Sequence, residues 1–319
     1  GGRGTFERGL YVASELISNP LFSLFEDGIV RRRVYEDVEL QQRVEADPQA
    51  EPPPGGTVLQ GAFFVGPGDF YRRLRDLPEA RRALIDMTSV AEVNRIYTHY
   101  RLERAQRRHP RFINITMKAT LLGAAVSDQV GDGQVVSGVG GQFDFVSMAH
   151  QLPEGRSVLL LRATRGSGKR LESNIVWEFP HATVPRHMRD IYVTEYGVAD
   201  LRGRTDAECI AAMLEIADSR FQEALMAQAK RAGKLPADHR IPEARRANLP
   251  QHLAAALAPH QASGLLPRLP FGCDLSADDL ELAGRLRKLQ GASKSWSGRL
   301  RLLRALAAPA AASHPAVAK

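Results

Sequence analysis

Apolar residues along the chain form short runs of strand length, and segments with helical spacing lie between them. Residues 10–13 and 158–161 are continuous apolar runs of the kind that form buried strands. The other strands predicted after residue 100 are 112–117, 134–137, 157–164, 173–177 and 190–194. Strands interleaved with helices predict an α/β fold with an open mixed sheet and helices on both faces.

Local end signals predict where several helices begin. Asn19-Pro20 puts proline at the first position of one helix, and Gly28 is suited to cap its carboxyl end. Pro78 opens a second, short helix. Thr205 and Glu208 have the spacing of a capping box. The apolar residues that follow this box at helical spacing are Ile210, Met213, Leu214 and Ala217.

Two further helices are predicted towards the carboxyl end. One runs to about Ala232 and is stopped by Gly233 and Pro236. The other spans residues 276–289, with Ser276 as its amino-terminal cap. Residues 47–56 are rich in proline and glycine and are predicted to form a loop.

The net charge of +7 is confined to the end of the chain. Residues 281–319 hold eight lysines and arginines against one acid, while the other residues carry 35 basic and 35 acidic side chains. Because the excess belongs to this segment, we expect no nucleic-acid partner; a nucleic-acid-binding role of the segment is a distant alternative. No stretch approaches the roughly 20 apolar residues of a membrane span, so no membrane association is expected.

Two cysteines, Cys209 and Cys273, lie far apart and form neither a disulfide framework nor a CxxC metal knuckle. The nine histidines show no metal-ligand spacing, so we predict no metal site and a cytoplasmic protein. The chain begins with glycine rather than methionine. We therefore expect sequence upstream of it.

Three segments are candidates for chemistry. In Ser14-Glu15, the carboxylate is expected just beyond a strand and before a helix, where α/β sheets form ligand crevices, although a solvated turn acid is the simpler interpretation. Gly138, Gly140 and Gly141, followed by Gln142, let a backbone approach a ligand closely, or simply turn the chain between strands. At residues 192–203, Glu195 ends a strand ahead of a glycine, and a salt-bridged loop is the alternative.

Two nucleotide-binding motifs are excluded. Phe143 stands where GxGxxG requires its last glycine, so the glycine segment is not a dinucleotide fingerprint. Gly168-Lys169 resembles the end of a P-loop, but Ala163 replaces the first glycine and Arg170 follows the lysine.

These segments, taken in order, resemble the acetyl-CoA hydrolase/CoA-transferase family, which includes acetate and 4-hydroxybutyrate CoA-transferases. Ser14-Glu15-x-x-x-Asn19 resembles its catalytic segment, and residues 138–145 resemble its glycine loop, G-x-G-G-x-x-D-F. Residues 173–176 and 193–203 resemble its last two signatures, and the whole resemblance covers about residues 9–236.

The resemblance implies two α/β domains, of which this chain is the second and the amino-terminal one is missing. On this basis residues 1–236 are the catalytic domain, 237–306 a connector and helical extension, and 307–319 a disordered tail. It also implies a homo-oligomer that binds no cofactor and uses a coenzyme A thioester as substrate. Its partners would be acyl-CoA and a short carboxylic acid.

The resemblance also implies a role for each candidate residue. Glu15 would be the nucleophile of a ping-pong reaction through a glutamyl-CoA thioester, and Glu195 a second catalytic acid of unassigned role. The substrate-binding residues would be Gly138, Gly140, Gly141, Gln142 and Asn174, and the charge of Lys169 adds it as a candidate contact for the phosphates of CoA. Transfer and hydrolysis share this intermediate and both stay open, as does a catalytically silent CoA-binding subunit.

Three departures from the family pattern are visible. Where the family often carries Asn in a Ser-Asn-x-Pro-Glu segment, this chain has Ser89-Val90-Ala91-Glu92, so one polar helper is expected to be missing. Residues 116–122 lack the usual Glu and Asp, and a proline-rich insertion lies near Pro52. These departures concern the preference for an acyl group more than the type of reaction.

Overall fold

A computed structural model describes residues 8–47, 50–129, 131 and 133–300. The chain divides into two compact units. The larger unit comprises the described residues up to 65 and residues 77–268, and the smaller comprises residues 66–76 and the described residues from 269 onward. The predicted tail at 307–319 lies outside the described residues.

The described residues form a mixed succession of strands and helices, which confirms the α/β class. The strands are β1 Val12–Ser18, β2 Leu59–Val65, β3 Ile85–Met87, β4 Arg111–Ile115, β5 Lys118–Thr120, β6 Ala125–Val126, β7 Arg156–Leu160, β8 Thr164–Arg165, β9 Glu172–Ser173, β10 Ile175–Val176, β11 Ile191–Thr194 and β12 Gly197–Asp200. The α-helices are α1 Asn19–Glu26, α2 Val38–Ala46, α3 Gly68–Arg75, α4 Glu79–Arg82, α5 Val90–Asn94, α6 Tyr100–Gln106, α7 Gln142–Gln151, α8 Asp206–Glu215, α9 Ser219–Arg231, α10 Pro250–Ala262 and α11 Ala277–Ser293.

The described strands are distributed over four small sheets rather than one. β1, β2 and β3 form a parallel sheet in that order. A second sheet has the order β12-β11-β7-β4, in which β4, β7 and β11 are parallel and β12 is antiparallel to β11. The others have the orders β10-β5-β6 and β8-β9. The strands of the last two sheets have two or three residues each, which limits how far each ladder can extend.

Glu15 lies inside β1, which corrects the prediction that it follows the strand. The predicted strand at 10–13 begins later and continues to Ser18, because Ser14, Leu16 and Ile17 pair in register with Gly61, Phe63 and Phe64 of β2. Side chains alternate between the two faces of a strand, so Glu15 shares the face of fully buried Ile17.

The predicted helix ends are confirmed where local capping determines them. Proline stands at the start of α1, and Gly28, at φ +71°, follows its carboxyl end. Thr205 and Glu208 form the expected capping box of α8. Ser276 and Asp279 form a second capping box that starts α11. Each box satisfies amino-terminal N–H groups that have no partner within the helix.

The main hydrophobic core lies where α8 and α9 meet the strands of the larger unit. It includes Leu159 and Tyr192 from the four-stranded sheet. It also includes the four apolar residues that the helical spacing singled out, Ile210, Met213, Leu214 and Ala217. Burial of Ile210, Met213 and Leu214 contributes about 1.5–3 kcal/mol for each side chain, so α8 is held firmly against the core, whereas Ala217 lies just beyond the end of α8.

Three further predicted strands differ from the structure. The strand predicted at 157–164 ends at Leu160, and Thr164 begins β8 in a different sheet. Residues 134–137 form no strand; Val135 makes one isolated bridge to Gln129, because the surrounding glycines leave few side chains to pack. The predicted strand at 173–177 is interrupted at Asn174 and splits into β9 and β10, which belong to different sheets. Among the described residues, no helix is both long and apolar enough to cross a membrane.

Candidate functional site

The carboxylate of Glu15 is held by one side-chain amide. Asn94 donates a hydrogen bond from Nδ2 to Glu15 Oε2 over 2.9 Å. Asn94 is the last residue of α5 and is only 4% exposed, whereas Glu15 is half-buried. This hydrogen bond therefore fixes the position of Oε2 in the Glu15 carboxylate.

Glu15 lines a cavity of about 310 Å³. The walls come from β1, from the edge strand β4 and from the start of α7. The lining residues are Ala13, Ser14, Glu15, Leu16, Arg111, Phe112, Ile113, Asn114, Ile115, Val139, Gly141, Gln142 and Phe145. The volume lies at the lower end of the range for small-molecule sites. The cavity is therefore large enough to hold part of a small-molecule ligand next to the Glu15 carboxylate.

The glycine segment connects directly to a helix rather than to a second strand. Gly141 is the amino-terminal cap of α7, and Gln142 is its first residue. Gly140 has a φ of +60°, a left-handed conformation that side chains disfavour. A Cβ on Gly141 would clash with Asn94 Nδ2 and lie 2.7 Å from Glu15 Oε2. Glycine at 141 therefore allows the loop to touch the Glu15–Asn94 pair.

A buried arginine supports the helix that carries Asn94. Arg107 donates from Nη2 to the carbonyl oxygens of Glu92 at 3.0 Å and Val93 at 3.4 Å, at the carboxyl end of α5. A cation there satisfies carbonyl groups that lack a helical partner. Arg107 also lies 3.7 Å from Glu103 Oε2. Burial raises the pKa of Glu103 to about 6, although the Arg107 charge opposes the rise.

Three amide side chains around Glu15 each keep a buried atom without a hydrogen-bond partner among the described residues: Oδ1 of Asn94, Nδ2 of Asn114 and Oε1 of Gln142. Asn114 and Gln142 line the cavity. Gln142 uses its other amide atom, Nε2, to donate to Ile115 O over 3.0 Å. Buried amide groups are costly when unpaired, so a bound ligand is a natural partner for them.

Glu195 lies in a different environment. It follows β11 at the two-residue turn into β12 and is exposed. Its Oε2 accepts a hydrogen bond from the backbone N–H of Ala163 over 2.8 Å. Asn174 donates from Nδ2 to Arg162 O over 2.8 Å, and its Oδ1 is buried without a partner. Glu195 and Asn174 thus both form hydrogen bonds to the backbone of residues 162–163, in the segment that follows β7.

The remaining candidates do not line the cavity. Lys169 is exposed in a short 3-10 helix, Gly168–Arg170, between β8 and β9. Gly138 and Gly140 are not among the lining residues, and a Cβ added to either would meet no atom within 4 Å. The structure therefore gathers Glu15, Gly141 and Gln142, and places Glu195, Lys169 and Asn174 outside that group.

Asn94 is the residue that sequence reasoning missed. The expected loss of a polar helper at residues 89–92 is corrected, because Asn94 lies two residues further on and binds Glu15. Ser89 caps α5, but nothing local marks its last residue as functional. Seventy-nine positions separate Asn94 from Glu15, so only the fold reveals the contact. Among the described residues, no group of three His, Cys, Asp or Glu side chains suits a metal ion.

The sequence also matches a protein-family model. The family is described as "Acetyl-CoA hydrolase/transferase C-terminal domain", and the match covers residues 66–229, just over half of the chain. It includes Asn94, the glycine segment and Glu195. Glu15 precedes the matched range, so its place beside Gly141 rests on the structure.

Similar curated proteins transfer coenzyme A. A 4-hydroxybutyrate coenzyme A transferase of Clostridium kluyveri is 36% identical over 120 residues, which is 37% of this chain and 28% of the relative. A succinyl-CoA:acetate/propanoyl-CoA:succinate CoA transferase of Fasciola hepatica is 30% identical over 209 residues, 63% of this chain and 38% of the relative. The chain thus spans well under half the length of these relatives.

A solved structure shares the architecture. RipA from Yersinia pestis superposes with a TM-score of 0.56 at 26% sequence identity. The match covers 72% of this chain and 46% of RipA. The likeness therefore extends over most of the chain but only part of the solved protein.

Proposed function

The chain belongs to the acetyl-CoA hydrolase/transferase family, and on that premise we propose that it is the part of a CoA-transferase that carries the nucleophile, Glu15. It moves CoA from an acyl-CoA to a carboxylic acid through a glutamyl-CoA thioester. Interception of the same intermediate by water instead gives acyl-CoA hydrolysis.

One observation carries this proposal. The half-buried carboxylate of Glu15 lies in a cavity of about 310 Å³, where Asn94 donates to Oε2 and Gly141 lies so close to the same oxygen that a Cβ would not fit. Asn94 occupies Oε2, and the cavity gives a ligand access to the carboxylate. An acid positioned this way is suited to attack an electrophilic carbonyl.

The reaction proceeds in two halves. Glu15 attacks the thioester carbonyl of acyl-CoA, which forms a mixed anhydride and releases CoA thiolate. The thiolate attacks the glutamyl carbonyl of the anhydride, which forms the glutamyl thioester and releases the first carboxylate. A second carboxylate attacks this thioester, and the expelled thiolate then attacks the new acyl carbonyl. This last step yields the new acyl-CoA and regenerates Glu15.

The site supplies what a weak carboxylate nucleophile lacks. Each attack places negative charge on a carbonyl oxygen, which hydrogen-bond donors can stabilise; loss of one such donor typically costs about 2.7–4 kcal/mol. The backbone N–H groups at the start of α7 and the unpaired Nδ2 of Asn114 are donors at the cavity. Fixing the reactants in line contributes on the order of 7–11 kcal/mol.

We also propose that the chain works with a further domain, like the part of its relatives that it does not match. The Glu15 cavity is open and small compared with coenzyme A, so the chain by itself leaves most of that ligand uncovered. The 319-residue chain alone should therefore turn over acyl-CoA slowly. Activity equal to that of a longer protein with such a domain would contradict this part of the proposal.

Trapping the covalent intermediate tests the proposal directly. The longer protein is incubated with acyl-CoA in the absence of an acceptor acid and then reduced with borohydride. Reduction of a glutamyl thioester leaves an alcohol, which peptide mapping by mass spectrometry locates. We expect the mark on Glu15 alone.

Acid-to-amide variants distinguish a Glu15 nucleophile from the alternative assignments. Glu15→Gln should abolish the mark, and Glu36→Gln, at an exposed acid outside the site, should keep it. A mark on Glu195 would move the nucleophile while leaving the family chemistry in place. CoA binding with no mark and no turnover would indicate a silent CoA-binding subunit instead.

A further inference from the structure

Helix α11 in the smaller unit is long but has no buried residue. It spans 17 residues, and Gly284 and Gly291 within it lower its intrinsic helical propensity. Helices in water gain most of their stability from packing of an apolar face. A helix of this composition therefore needs a partner surface.

Its apolar residues form a stripe with the spacing of a coiled coil. Leu282, Leu286 and Leu289, here called the α11 stripe, are separated by four and three residues and are each about half exposed. Ser293 occupies the next position of this repeat and is the last residue of the helix, so the stripe consists of the three leucines. Alternation of four and three is the repeat that places side chains along one seam between two helices.

The charges on α11 are separated along its length. Asp278, Asp279 and Glu281 lie in its first turns, and the basic residues Arg285, Arg287, Lys288 and Lys294 follow. Two copies side by side in parallel would place acid against acid and base against base. Two antiparallel copies would place the acidic end of each beside the basic end of the other, which is favourable.

We propose that the α11 stripe is a self-association surface that pairs with a second copy of this chain in an antiparallel helix pair. The stripe supplies the apolar seam, and the opposed charge distribution selects the orientation. The axis of the pair passes near Arg285, the middle of the helix. This surface belongs to a different unit from the Glu15 cavity.

The first test measures the mass of the 319-residue chain by sedimentation over a range of concentrations. We expect a dimer whose dissociation constant rises with ionic strength, because exposed charge pairs are screened by salt. Leu286→Glu should raise that constant on the order of 100-fold or more, since both copies lose a buried leucine. Leu265→Glu, at an exposed leucine outside the stripe, is the matched control and should leave it unchanged.

The second test distinguishes the orientation of the helices. Residues 278 and 292 lie one on each side of the midpoint and about 21 Å apart along one helix, too far for a bond within a chain. In a Cys273→Ser background, the pair Asp278→Cys and Ala292→Cys should form an intermolecular disulfide under oxidation. Asp278→Cys alone should not.

Three results would overturn the proposal. They are a chain that is monomeric at every concentration, a dimer that Leu286→Glu does not weaken, and efficient cross-linking of Asp278→Cys alone, which indicates parallel helices. If Leu286→Glu lowers the thermal stability of a monomer, another part of the chain covers the stripe. That result also excludes self-association. Circular dichroism of each variant checks that helix content is retained.

Discussion

Glu15 and Glu195 are the two acids that the sequence singles out for chemistry, and the structure places them in contrasting regions. Glu15 lies within β1 and in a cavity, where a side-chain amide binds it and Gly141 lies too close to it to carry a Cβ. Glu195 is exposed in a tight turn, where it accepts a backbone N–H from the segment after β7. Sequence motifs thus identify reactive residue types, while the surroundings in the fold determine which of them faces a ligand.

The largest expected effect separates these two acids. Glu15→Gln removes the nucleophile, so CoA transfer should fall at least roughly 10⁴-fold, while Glu15→Asp should cost about 10²-fold by withdrawing the carboxylate. Glu195→Gln keeps an oxygen that can accept from Ala163, so its loss should be much smaller. Steady-state kinetics of the three variants measure the difference. Equal losses in Glu15→Gln and Glu195→Gln would remove the distinction drawn between the two regions.

Substitution of the two neighbouring glycines, Gly140 and Gly141, is expected to be harmful for different physical reasons. A Cβ on Gly141 collides with Asn94 and Glu15, so Gly141→Ala should reduce kcat roughly 10²-fold by displacing the nucleophile. Gly140 has open space but a φ of +60°, so Gly140→Ala should mainly reduce stability, by about 1–2 kcal/mol. Kinetics and denaturant unfolding of both variants separate the two effects. The opposite order of kcat losses would count against close approach at Gly141.

Asn94 tests whether the amide positions Glu15. Asn94→Ala leaves Oε2 unpaired and should lower kcat about tenfold with little change in KM, because the amide acts through Glu15. Asn94→Asp places a second carboxylate there, and two adjacent negative charges are unfavourable. The acid limb of the pH–activity profile should then move to higher pH. An unshifted profile would show that Asn94 contributes only to packing.

A smaller effect is expected on stability, at Glu103, which lies beside the Arg107 that binds the helix of Asn94. The pKa of buried Glu103 is raised to about 6 in the folded protein, from an ordinary value of 4.5. The folded state therefore holds this proton more tightly, and its contribution to the free energy of unfolding falls by about 2 kcal/mol as pH rises from 4.5 through 6. The difference in unfolding free energy between wild type and Glu103→Gln should change by that amount over this range. A difference that is constant with pH would contradict the raised pKa.

Sequence patterns predicted the α/β class and several helix starts well, and missed elements that depend on neighbours. The glycine segment was open to interpretation as a turn between strands, because nothing local distinguishes Gln142–Gln151 from other mixed segments. The strand predicted at 134–137 is absent because β-propensity takes effect only when a neighbouring strand is available. The roles assigned to Lys169 and Asn174 stay predictions.

Local sequence specifies where α8 and α11 begin, because each cap and the N–H groups it satisfies lie within a few residues of each other. α1 likewise begins at its proline. The meeting of Glu15, Asn94 and Gly141, in contrast, depends on tertiary packing. These residues belong to three elements that are far apart along the chain, so their proximity depends on how those elements pack. Packing is a collective property of the core, and no short pattern around Glu15 encodes it.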